Sequence, residues 1–216
     1  MILICAAVPA ELKPLLDDDF ERRGENLFQH RSKPLLLAAL GIGGSSFLLA
    51  FSRIYAQFPF ARALLTGTCG IYPQTTVDYR PGILFSPSSA RLADGLAAEG
   101  RGYFPESMPQ EFPLDPGFWP RERVYHGPCL SPAVITADDA LAVRLGRHYR
   151  AVAEQMECFA FAAACREFNV QASALFAVSN LVGAAGHVQW LSNHGWVVEK
   201  SCSLIREFLP ELLSSS

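Results

Sequence analysis

Charge is scarce in this chain of 216 residues, of which 18% are Asp, Glu, Lys or Arg; soluble proteins average roughly a quarter. The 18 basic and 21 acidic side chains leave a net charge of -3, so there is no positive field for a phosphate backbone, and nucleic acid is a poor partner. Long apolar runs are missing too. Half the residues are hydrophobic, yet no stretch approaches the roughly 20 residues of a spanning helix. That surplus predicts a large core with an oligomer interface, and no membrane partner. Six cysteines, Cys5, Cys69, Cys129, Cys158, Cys165 and Cys202, form no CxxC pair and have no histidine at ligand spacing. Neither zinc nor a disulfide framework is indicated, and free buried thiols are expected. The apolar start, MILICAAVPA, carries no basic leader and reads as a first strand, which predicts a cytoplasmic protein.

What is present is an alternation of short apolar runs with longer helical patterns. ILICAAV, PLLLAAL, ARALLTG and ASALFAV read as strands; PAELKPLLDDDF, SSFLLAFSRIYAQF and VVEKSCSLIREFLPELL read as helices. This predicts an α/β fold in one domain, residues 1–216, with a sheet covered by helices. Phe47, Leu48, Phe51, Ile54, Tyr55 and Phe58 recur at helical steps, as do Val198, Cys202, Ile205, Phe208 and Leu212; both stripes are core or interface faces. Seven of the fifteen prolines lie between Pro105 and Pro132, so the segment at about 101–132 is expected to be a long ordered loop. Loops of that length often cover a ligand.

Four stretches can converge beyond the carboxyl ends of the strands, where open α/β sheets bind ligands. In AAVPAEL, Glu11 follows Pro9 at a helix start, and a carboxylate there is explained by the helix dipole alone. LGIGGSS carries three glycines into a helix but matches no dinucleotide or phosphate-loop pattern. In LTGTCG, Gly67, Thr68, Cys69 and Gly70 suit a tight turn and a ligand-facing strand end equally. AEQMECFAFAAAC places Glu157 in an apolar helical run, where a carboxylate is costly unless it is paired or hydrogen-bonded; Glu154 is expected on an exposed helix edge. A fifth stretch, AVSNLVG, brings Ser179 and Asn180 to the end of a strand, and a neutral amide there suits reading a ligand.

Taken in order, these stretches resemble the purine nucleoside phosphorylase and methylthioadenosine nucleosidase superfamily across nearly the whole chain. The resemblance implies a mixed, partly barrel-like central sheet flanked by helices, a homo-oligomer, a small-molecule nucleoside as substrate, and no metal or organic cofactor. Met156 and Glu157 match its Met-Glu signature on the ribose hydroxyls. Thr68, Cys69 and Gly70 match its strand-end motif beside the sugar, and backbone groups of Ile135, Thr136 and Ala137 are implied at the purine edge. The phosphorylases carry one arginine in the first loop and another two residues before the strand-end glycine; here those places hold AAVPAEL and Leu65. With no phosphate clamp, and with Glu11 where nucleosidases keep the base that activates water, the resemblance implies hydrolysis.

Adenine-releasing relatives hold an aspartic acid where this chain has Asn180. An amide cannot transfer a proton, but it donates a hydrogen bond to nitrogen 7 or oxygen 6 of a 6-oxopurine, so the expected leaving base is hypoxanthine. Among the hydrolases, SNLVG with Trp190 downstream, ADGLAAEG at 93–100 and the early Pro-Ala-Glu resemble the futalosine hydrolase family of the alternative menaquinone route. The chain departs from it at Cys158 and Phe159, at Ala185 and Gly186, and at PGILF (81–85). Arg101, His126 and His187 are conceivable partners for a substrate carboxylate, and Phe104, Phe112 and Trp119 for its aromatic ring. A methylthioadenosine or S-adenosylhomocysteine nucleosidase, or a non-catalytic nucleoside-binding homologue, is the alternative.

Overall fold

A computed structural model describes residues 1–75, 79–116 and 119–214. In chain order the strands are β1 (Ile2–Ala6), β2 (Phe20–Arg22), β3 (Leu27–His30), β4 (Leu35–Ala39), β5 (Arg62–Ile71), β6 (Leu84–Ala93), β7 (Glu111–Pro113), β8 (Val124–Pro132), β9 (Ala153–Glu154) and β10 (Gln171–Leu181). The helices are α1 (Gly44–Gln57), α2 (Gly95–Ala98), α3 (Asp139–His148), α4 (Cys158–Glu167) and α5 (Gly186–Ser214).

Every residue of ILICA is buried, as a strand covered on both faces requires. β1 accordingly runs parallel between β4 and β5. From β5 the sheet also passes through β9, β8 and β6 to β10, and β10 returns to pair with β5 over its whole length. Five strands thus close into a barrel, while β1, β4, β3 and β2 extend the sheet outward and β7 flanks β6. The expected partly barrel-like sheet with flanking helices is the observed fold. Among the described residues, no helix is long and apolar enough to cross a membrane. All six cysteines are buried and free.

Phe47 and Phe51 of α1 meet Phe161 of α4 edge to face at 6.4 and 6.2 Å, the favoured geometry for aromatic quadrupoles. Leu48 and Leu49, in contrast, are exposed.

Four sequence expectations are corrected. Residues 9–20 form no continuous helix but two short 3-10 turns, Pro9–Glu11 and Lys13–Leu15, leading into β2. Pro14 lacks the amide hydrogen that a longer helix would need. The helix expected over 153–165 starts only at Cys158, because Ala153 and Glu154 are drawn into the barrel against Ile71 and Gly70 of β5. The segment 101–132 is not loop throughout: it holds β7, and its last third is β8, parallel to β6. Proline is tolerated there because the register shifts between Pro87 and Ser89, opposite Gly127 and Pro128; at such a bulge a missing donor costs little. Finally, α5 begins at Gly186, well ahead of the VVEKSC pattern expected to open it, and continues through Pro210.

Candidate active site

The first turn after β1 delivers Glu11 to the side of β5. Its Oε1 accepts from the Thr68 amide at 3.0 Å and from the Thr68 hydroxyl at 3.2 Å. Among the described residues, Oε2 accepts only from the Val8 amide, at 3.4 Å. The approach is possible because residue 67 is glycine, with φ +136°; a Cβ there would lie 2.6 Å from Oε1. Burial raises the Glu11 carboxyl to about 7 and the nearby Glu157 adds to the rise, against the lowering by Thr68 and Val8. Such a group exchanges protons near neutrality, as a general base should. Gly67→Ala is therefore expected to displace the carboxylate and to destabilise the fold by about 1–3 kcal/mol through backbone strain, read as a lower melting temperature together with lost turnover.

Glu157 sits just ahead of α4 and is 3% exposed. Its Oε1 accepts from the Gly43 amide at 2.7 Å, and Oε2 accepts from Gln155 Nε2. The Gln155 side-chain oxygen, Oε1, in turn accepts from the Glu157 amide at 2.9 Å. These bonds answer the cost of burying the carboxylate, although burial still leaves it above its ordinary range. The glycines of LGIGGSS thus contribute backbone to the site, and not a phosphate loop.

Glu154 is buried, at 8% exposure, and does not lie on an open helix edge. Its Oε2 accepts from the Tyr72 hydroxyl at 2.6 Å and the Thr136 hydroxyl at 2.7 Å, and Oε1 accepts from the Thr136 amide at 3.1 Å. Burial and the neighbouring carboxylate push the Tyr72 phenol far up, so it remains a donor. Glu154 thereby pins Thr136 beside the cavity, and the Thr136 amide is turned to that carboxylate.

A bulge at the end of β10 shifts the register between Val178 and Asn180, setting Asn180 opposite Gly70. Bulges re-aim side chains at strand ends. Gly70 makes the room, since a Cβ there would lie 2.8 Å from Asn180 Nδ2. The amide oxygen accepts from the Ser179 hydroxyl at 2.7 Å, and Nδ2 donates to the Leu181 carbonyl at 2.9 Å. Because a carbonyl only accepts, Leu181 fixes which end of the amide is nitrogen. Nδ2 carries a second N–H beyond the one given to Leu181, and Asn180 lines the cavity described next.

All nine residues expected at the site, Glu11, Thr68, Cys69, Gly70, Ile135, Thr136, Met156, Glu157 and Asn180, line one cavity of about 300 Å³, a volume that suits a small ligand. The Cys69 thiol is pushed well up by burial and is a wall without nucleophilic character. Among the described residues, no Lys or Arg lines the cavity, and His187 is the one lining side chain that can become cationic. The structure does not bring the other conceivable partners to the cavity. Arg101 is exposed and paired with Glu99; His126 faces the Ser86 carbonyl at 3.3 Å; Trp119 is buried against Phe208. Phe112 packs on Phe159, and Phe104 is not among the lining residues. Glu154, Gln155 and Ser179 were not singled out as site residues by sequence. The expectation of an exposed Glu154 fails because the short strand that buries it, Ala153–Glu154, leaves no local signature.

Residues 1–213 match the Phosphorylase superfamily. The chain is 31% identical over 166 residues to the futalosine hydrolase of Thermus thermophilus, covering 69% of this chain and 71% of that protein. Among solved structures, a futalosine hydrolase mutant of Helicobacter pylori superposes with a TM-score of 0.84 at 18% identity, over 97% of this chain and 98% of the other. A mutant methylthioadenosine/S-adenosylhomocysteine nucleosidase of Helicobacter pylori with 5'-methylthioadenosine in its active site also has a TM-score of 0.84 at 18% identity, with the same coverage.

Proposed function

The chain belongs to the phosphorylase superfamily, and from that premise we propose that it hydrolyses the N-glycosidic bond of futalosine, releasing hypoxanthine and dehypoxanthine futalosine. That it is a nucleosidase of the methylthioadenosine nucleosidase and futalosine hydrolase kind rests on the family and the Thermus relative; the substrate is the finer step. The observation that carries it is the lining: three carboxylates and two oriented amides, Gln155 and Asn180, with neither Lys nor Arg among the described residues. Such a cavity repels phosphate and favours an electron-poor sugar.

In the proposed reaction the bond from the purine to the anomeric carbon breaks ahead of attack, its electron pair leaving with the base. The second N–H of Asn180 Nδ2 donates to nitrogen 7 or oxygen 6 and stabilises that developing charge. Glu157 and the backbone of Met156 hold the ribose hydroxyls. Glu11 takes a proton from the water whose oxygen bonds to the anomeric carbon and later returns it to solvent, while the departed purine anion takes one proton from solvent to become hypoxanthine. Thr68, Cys69 and Gly70 wall the sugar, and Ile135 and Thr136 the purine. We place the protein in the cytoplasm, in the menaquinone route, as a homo-oligomer. The exposed Ile42 and Ile135 at the cavity, with Leu49, Val188 and Leu191, support a second copy as partner.

The test is to incubate the protein with futalosine, inosine and methylthioadenosine, with and without phosphate, and to identify the base released. Hypoxanthine from futalosine, at a rate independent of phosphate, is expected. Adenine release would move the assignment to methylthioadenosine, and dependence on phosphate would make the protein a phosphorylase. A second expectation follows from the raised Glu11 carboxyl: the base works only when ionised, so kcat/KM should rise with pH through about 7 and level off above it.

A further inference from the structure

Trp190 lines the cavity from α5, with its Nε1 3.2 Å from the Thr68 hydroxyl oxygen. The same oxygen lies 3.2 Å from Oε1 of Glu11. An indole N–H can only donate, and a hydroxyl has one proton to give. With Trp190 donating to the Thr68 oxygen, the hydroxyl proton is directed to the carboxylate. The ring is held for this. It stacks on His194 at 4.3 Å and lies nearly parallel to His187 at 6.0 Å. One residue before it, Gln189 accepts from the Leu181 amide at 2.8 Å, tying the start of α5 to the end of β10.

We propose that Trp190 is a positioning residue for the base: its indole fixes the direction of the Thr68 hydroxyl, so that Oε1 of Glu11 is held by two donors and Oε2 is left to take the proton from water. This rests on the reading of Glu11 as base. The two oxygens are already unequal, since Oε1 accepts at 3.0 and 3.2 Å and Oε2 only at 3.4 Å. Without the indole donor, the Thr68 hydroxyl can turn round and accept from a protonated Glu11, which favours the neutral acid.

The other groups facing Glu11 are the Val8 amide, Glu157, which opposes its ionisation, and Cys202, whose thiol lies 3.5 Å from the Glu11 carbonyl and is pushed up to about 12 by burial. None of them contacts the indole nitrogen. His187 and His194 do face the ring, so both are titrated in parallel through the proton signals of their imidazole rings.

The experiment is Trp190→Phe, which keeps an aromatic ring in the stack and removes the N–H. With carboxyl-labelled glutamate, the Glu11 signal is assigned by its loss in Glu11→Gln and its titration followed by NMR without substrate. The expected result is an upward shift of the Glu11 midpoint, roughly threefold in the ionisation constant. The rise of kcat/KM with pH should move in the same direction, kcat should fall about tenfold, and KM should stay within about twofold. In a Thr68→Val background the same substitution should add no further shift, because the two changes break one chain of bonds. An unmoved Glu11 midpoint, or an equal shift in the Thr68→Val background, would overturn the proposal and leave Trp190 as a wall of the cavity. Wild-type protein with no turnover of futalosine would overturn the proposed hydrolysis alone, since the titration is read without substrate.

Discussion

Glu11→Gln is expected to lower hypoxanthine release by about 10²–10⁴-fold, the range that a positioned general base supplies, while leaving nucleoside binding nearly intact. The amide keeps the size of the acid and can still accept from Thr68 through its oxygen, so the turn after β1 should persist. What it loses is the lone pair at the Oε2 position, where NH2 would face both water and the Val8 amide. Binding is measured by calorimetry with a non-hydrolysable nucleoside analogue and turnover by chromatography of the released base. A variant that turns over normally would remove Glu11 from the mechanism; one that no longer binds would make it a ribose ligand. A pH series on the variant adds an independent check. The rise expected through about 7 in the wild type is assigned to Glu11, so any residual activity of the variant should lack that limb.

How much of this arrangement could be read beforehand differs from residue to residue, for physical reasons. β1 was legible because a strand buried on both faces is apolar without interruption. Glu157 was legible because a carboxylate among alanines and phenylalanines demands an explanation. Glu154 was misread for the opposite reason. The spacing in AEQMECFAFAAAC fits a helix, yet pairing of Ala153 and Glu154 with Ile71 and Gly70 of β5, far back in the chain, overrides that local pattern. β8 was hidden behind its prolines, which a bulge accommodates. Nothing local announces that Trp190 would reach Thr68 across 122 positions, nor that Gln155 would hold Glu157. The wall of the cavity was legible as an ordered set of stretches; the hydrogen bonds that orient its groups exist only once the barrel closes.

Asn180→Asp is the change expected to reverse the choice of base. In the wild type, Nδ2 lies 2.9 Å from the Leu181 carbonyl, and the amide oxygen accepts from Ser179. A carboxylate in that place would set a charged oxygen against a carbonyl lone pair, with the three carboxylates of Glu11, Glu154 and Glu157 lining the same cavity. Both effects favour the neutral acid. The protonated carboxyl of this variant has a single hydrogen to give, where the amide has two, and it can pass that hydrogen to nitrogen 7 of a departing purine. Adenine needs the full transfer, because it is the poorer anion. A 6-oxopurine needs only the hydrogen bond, and it loses the dependable donor. Futalosine turnover should therefore fall by about 10²–10³-fold, the cost of removing one preorganised donor, while methylthioadenosine becomes a substrate with activity declining as pH rises and the acid ionises. Both bases are separated by chromatography from one reaction mixture containing both nucleosides. If the variant retains the wild-type preference, the purine is being read by some other part of the cavity, and Asn180 is only the packing partner of Ser179 and Gly70.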